Sequence, residues 1–317
     1  MGSSHWFSHR LAARAGGVLL GAGLLAAAVA PTRVAAATGR AQAPAASPMH
    51  FTWEATSSNS ITDSTYVSNS ATNGKPHALL FVTPTYVTSG VGVYDDNPIG
   101  VWYTTLSGGE WAIFNENGAA MTDGTLFNVL VVPAPSATAF VLTSTSSNIH
   151  GSTAFINSPK TNGKKTIRLQ VTQLWNPGGV GGIYNDNNIG VYYGGSLFDN
   201  EWGVFNEPDA GIAVGVSFNV LVGSVAHGKL ALQKASSSNT TQNLTLINNA
   251  TLNGDGNVLV FSTPVYNPNG KGGTYDVDAT GVWYDAGESR WTVFQENYVL
   301  SVPLGAGFNL LFFPLIV

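Results

Sequence analysis

The chain of 317 residues contains no cysteine, and only 10% of its residues are charged, which excludes disulfides, thiol nucleophiles and cysteine-based metal centres. Four of the 13 lysines and arginines fall within the first 40 residues, leaving nine against 18 aspartates and glutamates in the remainder. An acidic balance of this kind is the opposite of a nucleic-acid-binding footprint, so no nucleic-acid partner is expected.

In chain order, the first feature is an export pattern. Arg10 and Arg14 flank the start of an uninterrupted apolar segment over 15–30, and the small residues Val34-Ala35-Ala36-Ala37 follow it. That is the order of a signal peptide. Its 16 apolar residues fall short of the roughly 20 that span a bilayer comfortably. The pattern predicts a signal peptide over 1–37, a disordered linker over 38–49, and a protein that is secreted, extracellular or held in the cell envelope. No membrane span is expected after signal removal. The apolar run LLFFPLIV over 310–317 is too short for one and reads as a final buried strand.

Beyond the linker the chain reads as β-structure. Strands are predicted over 51–55, 65–68, 78–83, 100–103, 111–115 and 127–132, rich in Val, Phe, Tyr, Trp and Thr and separated by Asn-Gly, Gly-Gly and Asn-Pro turn signals. The same series then recurs twice. A glycine precedes an apolar-aromatic run at Gly100, Gly190 and Gly281, Asn-Gly pairs occur at Asn73-Gly74, Asn162-Gly163 and Asn253-Gly254, and tryptophans stand at Trp111, Trp202 and Trp291. FNVL, FNVL and FNLL begin at Phe127, Phe218 and Phe308. This common period of about 90 residues predicts an all-β chain of three tandem β-sandwich or small β-barrel modules, over 50–134, 138–224 and 228–317. The alternative is that the copies share sheets in one larger body. Either way the connections over 132–138 and 223–228 are short and keep the modules in contact.

The run TNGKPHALLFVTPTY, YDDNPIGVWY, EWAIFNEN, FNVLV resembles a tandem repeat family of about 90 residues, rich in Trp, Tyr, Asn and Gly, found in exported bacterial proteins and described only as a domain of unknown function. The second copy looks closest to the usual form. The third departs from it at Ala279-Thr280 and at Arg290, just before its tryptophan. The resemblance implies export and repetition and brings no catalytic residue with it.

Two features of the module are candidate sites. Before each glycine lies an Asx cluster containing Asp95 and Asp96, Asp186, or Asp276 and Asp278. Calcium takes six to eight oxygens, which these loops approach only with help from elsewhere. Capping of a turn into the next strand is the simpler reading, since Asn and Asp satisfy turn amides locally. Calcium is therefore the one cofactor weighed, and no other is expected.

After each glycine come the pairs Trp102-Tyr103, Tyr192-Tyr193 and Trp283-Tyr284. Neighbouring residues on a strand point to opposite faces, so one ring of each pair must be explained outside its own sheet's core, at a junction or in a groove. These six are the ligand-binding candidates. The repeated Glu116, Glu207 and Glu296 read as sheet-surface or loop acids, and no constellation for nucleophilic catalysis is present. The sequence thus predicts a non-enzymatic protein with a binding or scaffolding role through its three modules, toward a polysaccharide or a cell-surface protein. The alternative is a secreted hydrolase with its active site at a module junction.

Overall fold

The computed structural model describes residues 47–86 and 92–314. The predicted signal peptide, nearly all of the linker and the last three residues of the C-terminal apolar run lie outside the described residues. Each repeat folds into seven strands, and among the described residues there is no α-helix. The first repeat supplies β1 (Met49–Glu54), β2 (Ser60–Ile61), β3 (Ser64–Val67), β4 (Leu79–Thr85), β5 (Ile99–Thr104), β6 (Glu110–Asn115) and β7 (Leu126–Val132). The second supplies β8 (Ala139–Thr143), β9 (Ile149–His150), β10 (Thr153–Ile156), β11 (Leu169–Leu174), β12 (Ile189–Tyr193), β13 (Trp202–Asn206) and β14 (Ser217–Val222). The third supplies β15 (Lys229–Lys234), β16 (Thr240–Thr241), β17 (Leu244–Leu246), β18 (Leu259–Val265), β19 (Thr280–Asp285), β20 (Arg290–Gln295) and β21 (Gly307–Phe313).

Within a repeat, strands one, seven and four form a three-stranded sheet, and strands two, three, six and five form a four-stranded one. The two face each other as a sandwich. In the first repeat Leu80, Val129 and Val131 pack against Val101, Tyr103, Trp111 and Ile113, the alternation expected when one face of each sheet is dry. The repeated tryptophans lie in these cores. Their Nε1 groups donate to the carbonyls of Lys75 (3.0 Å), Lys164 (3.1 Å) and Asp255 (2.9 Å). Each acceptor directly follows an Asn-Gly pair whose glycine has φ of +68°, +75° or +79°, a conformation glycine adopts without a steric penalty. Tryptophan and turn therefore keep step because the indole satisfies the turn's carbonyl.

The sheets do not stop at repeat boundaries. Three seven-stranded sheets run β2-β3-β6-β5-β11-β14-β8, β15-β21-β18-β12-β13-β10-β9 and β1-β7-β4-β19-β20-β17-β16. Each joins four strands of one repeat to three of another through a parallel pair. The N–H groups of Trp175, Tyr266 and Tyr86 donate across these joins to the carbonyls of Val101 (3.0 Å), Val191 (3.0 Å) and Val282 (3.1 Å). The last of the three closes a ring from the third repeat back to the first. Each copy thus keeps its own sandwich core while sharing both of its sheets with its neighbours.

The centre of the ring is built from all three copies. Leu79, Phe81, Leu130, Leu221, Phe261 and Leu311 form one buried cluster. Beside it, the N–H groups of Val82, Val171 and Ser262 donate to the hydroxyls of Thr172 (3.0 Å), Thr263 (3.1 Å) and Thr83 (3.1 Å) in cyclic order. The asparagines of the FNVL and FNLL runs do the same for carbonyls. Asn128, Asn219 and Asn309 donate to Val260 (2.9 Å), Leu80 (3.0 Å) and Leu169 (3.3 Å). A buried carbonyl left unpaired costs about 1–3 kcal/mol, which accounts for an amide at this otherwise apolar position in every copy.

Candidate functional site

At each join the repeated glycine meets the repeated glutamate. Glu116, Glu207 and Glu296 are 4%, 2% and 1% exposed, which corrects the expectation of surface acids. They turn inward because the next repeat offers them a donor. Their Oε2 atoms accept the backbone N–H of Asn185 (3.2 Å), Asp276 (3.0 Å) and Asp95 (3.0 Å). A β-carbon on Gly100, Gly190 or Gly281 would collide with Oε1 of the glutamate of its own repeat. The Asx cluster is thus the segment that each glutamate clamps.

These acids are held as neutral groups. Burial pushes Glu116 and Glu207 up to about 8 and Glu296 well above the usual carboxylate range, in each case against the lowering effect of the donated N–H. Asp276 is pushed up to about 7, and Asp95 is raised, by the same desolvation. The Oδ2 atoms of Asp95 and Asp276 and Oε1 of Glu296 are buried without a hydrogen-bond partner. Such a group is tolerated far better protonated than charged.

Outside each clamp lies a cluster of aromatic rings built from two repeats, which at the first two junctions lines a cleft. Trp102 and Phe114 meet Trp175 and Tyr184 at the first junction. Tyr192 and Phe205 meet Tyr266 and Tyr275 at the second. At the third, Phe294 of the third repeat meets Tyr86 and Tyr94 of the first. The rings pack mostly edge to face, and otherwise tilted, with centroids 4.7–6.4 Å apart, so each holds its neighbours in place. Within these clusters Tyr94, Tyr184 and Tyr275 remain 42%, 56% and 45% exposed. The first cleft encloses about 140 Å³ and carries Asp63 and Ser64. The second encloses about 310 Å³ and carries His150, Ser152, Thr153 and Asp209.

The six aromatic candidates divide as strand alternation requires. Tyr103, Tyr193 and Tyr284 point into the sandwich cores, edge-on to Trp111, Trp202 and Trp291. Trp102 and Tyr192 point outward into the clefts, where each is half-buried, and Trp283 is likewise half-buried. The acids of the Asx clusters separate in the same way. Asp95 and Asp276 are buried beside the clamping glutamates, where each accepts side-chain amides, from Asn97 and Asn115 or from Gln295. Asp96 and Asp186 are exposed and Asp278 is half-buried. Among the described residues no three of His, Asp or Glu are grouped to hold a metal ion.

Several residues of the clefts and joins carry no signal inside their own strand. Trp175, Tyr266 and Tyr86 follow β11, β18 and β4 at one residue's distance, and their shared position emerges only when the repeats are aligned on those strands. Asn176 and Asn267 come next. Each amide donates to and accepts from the backbone of one residue of the neighbouring repeat, Tyr103 (2.6 and 2.7 Å) or Tyr193 (both 2.8 Å). The Asn-Pro dipeptides at these positions were the available clue, since a proline would follow where the ladder has to end.

Three overlapping stretches of the chain, residues 40–131, 105–222 and 197–312, match the model of a domain of unknown function, DUF7452. No curated protein and no solved structure matches the chain.

Proposed function

The chain belongs to the DUF7452 family of domains of unknown function, and we propose that it is an exported, non-enzymatic protein that binds saccharides in the clefts between its repeats. The observation that carries this reading is the partly exposed tyrosine at each junction, Tyr94, Tyr184 and Tyr275, seated on a bed of packed rings. An aromatic face covers the C–H face of a sugar, and neighbouring carboxylates and hydroxyls take its hydroxyl groups. Interlocked rings lose little freedom on binding, which lowers the entropic cost. Weak sites repeated around one body gain avidity on a polymer that reaches more than one of them.

The alternative of a hydrolase with a junction active site needs two carboxyls facing a substrate. Acids from different repeats do converge at Glu207 with Asp276 and at Glu296 with Asp95, but they are sealed from solvent and spend an oxygen on a backbone N–H. Their part in this reading is to clamp the ring. A glycan array probed with the exported chain, with and without calcium, tests the proposal. Binding that weakens when Tyr94, Tyr184 and Tyr275 are all changed to alanine supports it. An array blank in both conditions overturns it.

A further inference from the structure

The junctions differ in their lining, with Asp63 and Trp102 at the first where Ser152 and Tyr192 stand at the second, and at one further position. Two residues past the clamping glutamate the repeats carry Gly118, Asp209 and Tyr298. At the third junction Tyr298 packs on Tyr94 with ring centroids 5.5 Å apart, adding a ring to that cluster. At the first junction Gly118 contributes no side chain, and the cleft encloses about 140 Å³. At the second, Asp209 accepts a hydrogen bond from Ser152 at 2.7 Å and lines a cavity of about 310 Å³ together with His150. Small-ligand pockets run from roughly 300 to 1,000 Å³, and of these two cavities only the second reaches that range. The Nε1 atoms of Trp175 and Trp283 lack partners but are sealed from solvent, so they offer a ligand nothing.

Resting on the reading above, we infer that the cleft between the second and third repeats is the specificity-determining site, and that it takes a single uncharged hexose unit of a glycan. Tyr275 supplies the stacking face, and Asp209, oriented by Ser152, accepts sugar hydroxyls. No lysine or arginine lines this cleft, and His150 is its one side chain able to carry a positive charge, so a uronic acid would bring its carboxylate against Asp209 without a permanent counter-charge, in a chain that is itself acidic. A quaternary ammonium, the other ligand that aromatic rings and a carboxylate attract, is held by a cage of several aromatic faces. Here four of the ring contacts are edge to face, so the faces are turned on neighbouring rings and not on a common centre. The platform is the outer face of Tyr275.

The test is a ligand-observed NMR titration of the exported chain with methyl glucoside, methyl galactoside, methyl mannoside and N-acetylglucosamine, and with glucuronate as the anionic probe. At least one neutral sugar should bind. Tyr275→Ala should weaken it about five- to tenfold, and Tyr184→Ala and Tyr94→Ala less than about twofold. Glucuronate should bind at least about tenfold more weakly than the best neutral sugar, and Asp209→Asn should narrow that gap. Asp209 and Tyr275 are both exposed, and an unchanged thermal midpoint confirms that each variant is folded. Sugar binding lost in Tyr184→Ala or Tyr94→Ala but kept in Tyr275→Ala overturns this inference and leaves the broader reading standing. Glucuronate binding as well as the neutral sugars also overturns it. If no sugar binds and the glycan array is blank, both fall.

Discussion

Gly190 occupies a strand position that would favour a β-branched residue, and it is glycine because Glu207 fills the space where a β-carbon would stand. Gly190→Ala therefore forces the clamp open and should lower stability by about 2–4 kcal/mol, more than an alanine on an ordinary strand. The clamp also makes stability depend on pH. Glu207 and Asp276 are raised in the folded protein to about 8 and about 7, from ordinary values of 4.5 and 3.8. Their contribution is complete below those ordinary values and is lost as pH rises through about 7 to 8. The thermal midpoint should accordingly fall between pH 5 and pH 9, read by circular dichroism, and the double variant Glu207→Gln, Asp276→Asn should fall less steeply. The glycine and the glutamate were both visible in the sequence as landmarks at one period. That they touch was not, since a period gives equivalence between copies and says nothing of contact within one.

At the scale of the strand, alternation located most elements to within a residue or two. The predicted 100–103 and 111–115 lie within β5 (Ile99–Thr104) and β6 (Glu110–Asn115). The two-residue β2, β9 and β16 were too short to leave a pattern. What alternation fixes is the face on which a side chain lies, and so the split of Tyr192 from Tyr193 was legible. It does not fix the neighbour, because β5 would bury the same residues whether β4 or β11 lay beside it. The joins are reinforced by side chains instead, with Asn267 holding both backbone groups of Tyr193. Asn267→Ala removes both bonds and leaves partly buried groups unpaired. It should cost about 1–3 kcal/mol in urea unfolding, whereas the exposed Asn257→Ala should change stability by less than about 0.5 kcal/mol.

For the whole molecule, the closing pair is the costly one to form. Val282 and Thr85 are bonded across a separation of 197 residues, and long-range pairing of this kind slows folding. Until the third repeat is complete, β4 offers an unpaired edge of the sort that recruits other chains. Closure also means that no repeat is first or last in space. Each gives its fifth strand to one neighbour and receives a fifth strand on its fourth from the other, always through the same two faces. A contact of that kind, turned through a third of a circle each time, needs no peptide bond between the copies in order to close. Each repeat therefore carries both halves of the join, although in the second Gln170 stands at the centre where the others place Phe81 and Phe261. Residues 138–224 expressed alone, with only Asn185 opposite the clamping Glu207, should sediment as a trimer of separate chains. In that assembly covalent tandem duplication would be seen as a way of letting three identical junctions become different.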